Sequence, residues 1–247
     1  MSPNTDCALG VLAFGDSITN GGGELQSGVA LQSWALWVAR GAGLPFTGYA
    51  TDGAGVEHVV ERQIPAFEHS AAHPGARYEL GCLYVGVNDV RAQDWDAAAF
   101  EPRFRDALRF LRGRCDRVLT LTAPDDLGRP RAGASVPELD EAIERAAAEL
   151  GALVLDLRSF GARNHVMTDH VHPTALGQIA IAERALAVLQ RDGMRVAVAP
   201  SSLIQPQTTR WQRLRNDATY VYRHAKVSAR AWLAGRSPRA RDPRSAG

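Results

Sequence analysis

Cysteine is scarce in this chain of 247 residues: Cys7, Cys82 and Cys115 are the three present, and none stands in C-x-x-C spacing. An odd, unpatterned set provides no disulfide framework, and the chain suits a reducing compartment. Cys82 lies inside an apolar run and reads as a small core residue. Long hydrophobic runs are also missing. No stretch approaches the roughly 18 apolar residues of a membrane span. The N-terminus has no charged n-region, so no signal peptide is expected and a cytoplasmic protein is the default. Gly21-Gly22-Gly23 lacks the lysine pattern of a phosphate-binding loop and reads as a loop lining a cleft. No internal repeat is visible.

What is there suits a soluble α/β domain large enough to bury a core without staples. The net charge of +1 conceals an asymmetry. Residues 1–194 carry 17 basic and 25 acidic residues, whereas residues 195–247 carry 11 and 2. A basic tail follows an acidic body, and such a tail calls for an acidic surface or an anionic partner.

Short apolar runs alternate with longer helical periodicities. The runs occupy 9–14, 46–51, 80–85, 117–122 and 152–157. Between and after them the spacing predicts helices over 31–41, 56–69, 97–112, 137–150 and 173–190. Pro65 is expected to kink or end the second helix, and Pro137 to occupy the first turn of the fourth. Continuous apolar strands between amphipathic helices imply a parallel sheet covered on both faces. The expectation is a three-layer α/β/α, doubly wound, flavodoxin-like fold with a five-stranded parallel sheet over residues 1–194. In such sheets the ligand site lies beyond the carboxyl ends of the strands. Ser17 follows the first run, Gly53 the second and Asn88 the third.

A serine hydroxyl is a poor nucleophile near neutral pH and needs a base, with donors for the developing oxyanion. Ser17 sits where a strand meets a helix, so a tight turn exposes its Oγ. His172 is the candidate base. Asp169, three residues earlier, is placed to hold the other ring nitrogen. The Ser17 backbone N–H, a glycine N–H and the Asn88 amide are candidate oxyanion donors. Asp16 reads as a cap for the N–H groups beside the serine, and Asp89 as structural. Asp169, His170 and His172 lack a fourth ligand at suitable spacing, so no metal is expected. His58, His69 and His73 read as surface or helix residues. The loop 124–129 is a candidate contact for a leaving group.

Three segments carry a resemblance. Gly15-Asp16-Ser17-Ile18-Thr19, Gly86-Val87-Asn88-Asp89 and Asp169-His170-Val171-His172-Pro173 resemble the first, third and fifth blocks of the SGNH (GDSL-type) serine esterases and lipases. The resemblance covers about residues 9–190. It implies hydrolysis of a small-molecule or lipid ester through an acyl-enzyme, without a cofactor. It also implies Ser17 as nucleophile, His172 as base and Asp169 as its orienting acid, with Ser17, Gly53 and Asn88 as the oxyanion hole. The second block departs from the family's Asn-rich lead-in. Gly53 is preferred for its distance from the Val59-Val60 helix, and Gly55 is the alternative. An O-acyltransferase differs by using an acceptor alcohol in place of water. A non-catalytic binding module on the same fold is disfavoured, because the set Ser17, Asn88, Asp169 and His172 is complete.

Residues 195–207 read as a linker. Residues 208–234 read as a basic amphipathic helical extension, with Trp211, Leu214, Ala218, Val221, Ala225, Ser228 and Trp232 in one stripe. Arg213, Arg215, Arg223, Lys226 and Arg230 lie beside it. This helix suits the acidic body, a second subunit, or peripheral attachment to an anionic membrane surface. Nothing resembles a base-reading module, so nucleic acid is not an expected partner. Residues 235–247 are rich in Gly, Ser, Pro and Arg and are expected to be disordered.

Overall fold

The computed structural model describes residues 9–26, 28–70, 76–128, 130–162 and 164–204, together with scattered positions between 209 and 229. Cys7, His73, Arg129, the end of the expected linker (205–207), Arg213, Ser228, Arg230, Trp232 and the expected disordered tail lie outside the described residues. The chain divides into two compact units, Met1–Gln207 and Thr208–Gly247.

In the first unit five strands form one parallel sheet: β1 Val11–Gly15, β2 Phe46–Gly48, β3 Tyr78–Tyr84, β4 Cys115–Leu121 and β5 Leu153–Leu155, in the order β2-β1-β3-β4-β5. Each expected apolar run forms a strand. The whole of β1 is buried, as is β3 apart from Glu79. A strand packed on both faces needs such a run rather than alternation. The regular part of β2 stops at Gly48, although Tyr49 N and Thr51 N further along the run still donate to Ala13 O and Gly15 O of β1.

Helices α2 Trp34–Ala42 and α8 Ala175–Arg191 pack together, and α6 Ala97–Arg114 packs with α7 Pro130–Leu150. Caps set several starts: Ser33 Oγ accepts from Ala35 N, Asp96 Oδ1 from Ala98 N and Thr174 Oγ1 from Gly177 N. Two one-turn helices, α1 Ser17–Asn20 and α5 Val87–Arg91, follow β1 and β3.

Pro65 disturbs its helix without ending it, the milder of the two expected outcomes, whereas the placing of Pro137 needs correction. The α3 turn Val56–His58 runs into a π turn, Val59–Gln63, and then into α4, Ile64–Ser70. The wider turn just ahead of Pro65 accommodates a ring that an unbroken α-helix would clash with. Pro137 lies inside α7, not at its start, which is Pro130. Ala132 and Val136 are fully buried, so the apolar stripe extends ahead of Pro137 and packing outweighs the missing hydrogen bond.

Cys82 and Cys115 are buried and free. Past α8, residues 195–204 run back over the body: Ala197 N and Val198 N both donate to Gly41 O, and Ser201 N donates to Glu183 Oε1. In the second unit the described residues from Arg210 to Ala229 have helical backbone. Among the described residues no helix is long and apolar enough to cross a membrane.

Candidate active site

The carboxyl ends of β1 and β3 and the loop ahead of α8 converge on one cleft. At the end of β1 the chain must turn sharply under a neighbouring strand. Gly15 takes φ +150°, and a Cβ there would lie 2.3 Å from Tyr84 O. Asp16 then caps α1, its Oδ1 accepting from Ile18 N at 2.9 Å. Ser17 is the first residue of α1, so its side chain leaves at the rim. Asp16 is 1% exposed. Burial pushes its pKa up to about 7, against the Ile18 N–H and the nearby His172, which lower it.

His172 arrives from a loop 155 residues away in sequence, yet its Nε2 lies 2.9 Å from Ser17 Oγ. Its Nδ1 lies 2.7 Å from Asp169 Oδ2. Asp169 Oδ1 accepts from the backbone N–H of both Val171 and His172, at 2.9 and 3.0 Å. Burial pushes the Asp169 carboxyl up, but the His172 ring and these two N–H groups outweigh it and hold the pKa at about 2. His172 is raised above its ordinary 6.5, first by the hydrogen bond to Asp169, then, against its own burial, by the charges of Asp169 and Asp16. His170, between the two, is the sole non-glycine residue with positive φ among the described residues, at 61°. Its Nδ1 lies 2.6 Å from Asp126 Oδ2, so the loop after β4 meets the histidine loop through this pair.

Asn88 stands in α5 directly after β3, and its Nδ2 donates to Ala54 O at 3.0 Å. Asp89 accepts from Val56 N through Oδ1 at 3.0 Å. Together they fasten the loop 52–56 to the end of β3. Gly53, at φ +74°, lines the same cavity as Ser17 and His172. Gly55 sits against the carboxylate of Asp89, where a Cβ would be 2.9 Å from Oδ1. The cavity, about 440 Å³, is lined by Ser17, Gly22, Gly23, Asp52, Gly53, Asn88, Met167 and His172. Gly22 and Gly23 form part of its wall, as expected. His58 lies apart, bonded to Thr51 Oγ1.

Two buried glutamines that no motif marks complete the surroundings. Gln63, in the π turn, accepts from Gly15 N at 3.0 Å and donates to Gly15 O at 2.8 Å and to Thr51 Oγ1 at 3.1 Å. Gln178, in the first turn of α8, accepts from Trp34 N and donates to Ile18 O and Gly22 O. A polar residue on an otherwise apolar helix stripe is the signal in the sequence, and it does not reveal the partner.

A hydroxyl, imidazole and carboxylate in series can pass a proton away from the oxygen, and nearby amide donors can hold an anion. Among the described residues, no three His, Cys, Asp or Glu side chains stand close enough to hold a metal ion.

Residues 13–180 match the GDSL-like lipase/acylhydrolase family. No curated protein matches the chain. A lipolytic protein of the G-D-S-L family from Veillonella parvula has a similar crystal structure, with TM-score 0.61 at 25% identity over 74% of this chain and 100% of that one. An acetylxylan esterase from Geobacillus stearothermophilus, solved as a catalytic mutant, gives 0.56 at 16% identity, over 72% and 93% of the two chains. A phospholipase A1 from Streptomyces albidoflavus gives 0.52 at 20% identity, over 74% and 99%. The last two likenesses establish the fold.

Proposed function

Because the chain belongs to the GDSL-like lipase/acylhydrolase family, whose esterases and lipases act on ester bonds, we propose that its hydrolysis runs through Ser17, His172 and Asp169. Ser17 Oγ attacks the ester carbonyl carbon while its proton passes to His172 Nε2. The oxyanion is held by the Ser17 and Gly53 N–H groups and by Asn88 Nδ2. Collapse breaks the bond to the alcohol oxygen, which takes the proton from the imidazolium and leaves. A water then loses a proton to Nε2 and attacks the acyl-enzyme. Collapse of this second intermediate frees the acid and returns the proton to Ser17 Oγ. Asp169 stays ionised and holds the ring tautomer.

The observation that carries this reading is the unbroken series Ser17 Oγ, His172 and Asp169 at 2.9 and 2.7 Å. Ser17→Ala is expected to abolish turnover of a short activated ester and labelling by a fluorophosphonate, with folding retained. Unchanged turnover rejects the assignment. Met167 is the one large apolar side chain among the described residues of the cleft wall, which suits a short acyl group. Turnover across a series of esters therefore falls as the acyl chain lengthens. An added acceptor alcohol, with the products identified, separates hydrolysis from acyl transfer.

We also propose that the second unit attaches to an anionic lipid surface. Trp211, Leu214 and Val221 of the apolar stripe are exposed, and Arg215 and Lys226 near them are exposed as well. Arginine and lysine flanking a tryptophan-bearing stripe is the pattern of an interfacial helix. Deleting residues 208–247 should leave short-ester turnover intact and weaken binding to phosphatidylserine vesicles. Undiminished vesicle binding, or a change in oligomeric mass in its place, removes this reading.

A further inference from the structure

The proposed reaction needs two groups from opposite ends of the domain to meet within tenths of an ångström. Ser17 belongs to α1, and His172 lies three residues before the start of α8. The contact between their side chains is a single hydrogen bond at 2.9 Å, in a part-buried position where water competes. A mobile serine or imidazole would lose that alignment. Something buried must hold the two backbones together.

Gln178 does so. It lies in the first turn of α8, six residues after His172, and its side chain is fully buried. Its Nε2 donates to Ile18 O at 2.9 Å, the carbonyl next to Ser17. The same nitrogen donates to Gly22 O at 3.2 Å, in the wall of the cleft, and Gly22 N in turn donates to Ser17 O. Its Oε1 accepts from Trp34 N at 2.8 Å, one of the orphan donors at the start of α2. Both amide N–H groups and the carbonyl are therefore engaged, so the side chain has one allowed orientation. One neighbouring backbone contact runs the same way: Ala175 N donates to Glu24 O at 2.9 Å. An apolar residue would fill this space, but it could not specify the relative position of three backbone segments.

We propose that Gln178 is a positioning residue that sets the distance between Ser17 Oγ and His172 Nε2. It touches neither the substrate nor the reacting atoms; it fixes the backbone on either side of them. This rests on Ser17 and His172 being the reacting pair.

The test replaces Gln178 by methionine, which is similar in length and makes none of the three hydrogen bonds. Gln178→Met should lower kcat by about 10²-fold, the order expected for a misplacement near 1 Å, with KM unchanged. The rate of fluorophosphonate labelling should fall by the same factor. Leu111→Ala serves as the stability control. Leu111 is fully buried at the end of α6, beside the start of β4 and away from the site. It should lower Tm and leave kcat alone. Gln178→Asn keeps the amide on a stem one methylene shorter and should show the same loss in kcat, which also covers the case in which the methionine variant does not fold. The proposal is overturned if the Gln178 variants keep the kcat of Leu111→Ala, or if their loss lies in KM. Ser17→Ala, assayed in parallel, separates the two layers. If it retains turnover, the site assignment fails; if it is inactive while the Gln178 variants are normal, the positioning role alone fails.

Discussion

Asp169 grips His172 at two places: one carboxylate oxygen lies 2.7 Å from the ring Nδ1 and the other accepts the residue's own backbone N–H at 3.0 Å. One side chain thus sets both the tautomer of the imidazole and the path of the chain that carries it. The proposed roles make this bond testable in several ways.

The proposed base acts as neutral imidazole, so kcat/KM should rise with pH through the pKa of His172. That pKa lies above 6.5, chiefly because of the hydrogen bond to Asp169. Asp169→Asn should move the rising limb to lower pH and reduce kcat by roughly 10⁴-fold. A pH–rate profile whose limb stays in place counts against the coupling.

Stability follows the opposite trend. The Asp169 carboxyl is held at about 2 against an unfolded 3.8, so its contribution is present above pH 3.8 and lost as pH falls through 2. His172 is raised, so its contribution is fully present below 6.5 and lost as pH rises through its folded value. The difference in unfolding free energy between wild type and Asp169→Asn should peak between pH 3.8 and 6.5. Denaturation at a series of pH values measures it. The pair stabilises the fold most where the proposed base is protonated and idle.

Asn88→Ala removes a proposed oxyanion donor and should lower kcat by about 10²–10³-fold. KM should hold, since the oxyanion exists only near the transition state. A loss confined to KM would instead assign Asn88 to substrate binding. Its bond to Ala54 O also anchors the Gly53 loop, so some of the kcat loss belongs to that loop.

Gln63→Met leaves the buried Gly15 N–H without its partner, while Gly15 O keeps Thr51 N at 3.2 Å. One orphaned buried donor costs about 1–3 kcal/mol. Urea denaturation should show a loss of that order. An unchanged midpoint would mean that the turn ahead of Ser17 holds without the amide.

Much of this was legible in the residues. The apolar runs marked every strand, most clearly β1 and β3, which are covered on both faces and have almost no polar side to disguise them. Asp169 and His172 are three residues apart, so their bond is local and the spacing anticipates it. The one-turn helices α1 and α5 are too short for any periodicity to register. The choice between Gly53 and Gly55 was open in the sequence, since both are glycines in one loop. In the fold Gly53 lines the cavity of Ser17 and His172, and Gly55 lies against Asp89, which supports the proposal of Gly53 as donor. Pro65 signalled a disturbed helix but not the form of the disturbance, a π turn whose change of register local spacing does not reveal.

By itself the amino-acid order determined which segments become strands, which loops hold the proposed reactive side chains, and that these loops share one edge of a parallel sheet. Those outcomes follow from hydrophobic runs and from the chirality of strand–helix–strand connections, both properties of nearby residues. The tertiary structure alone decided that Ser17 meets His172 across 155 residues, and that Gln63 and Gln178 hold the turn between them. A buried amide looks the same in any sequence, and its value depends on which backbone groups folding leaves in need of a partner.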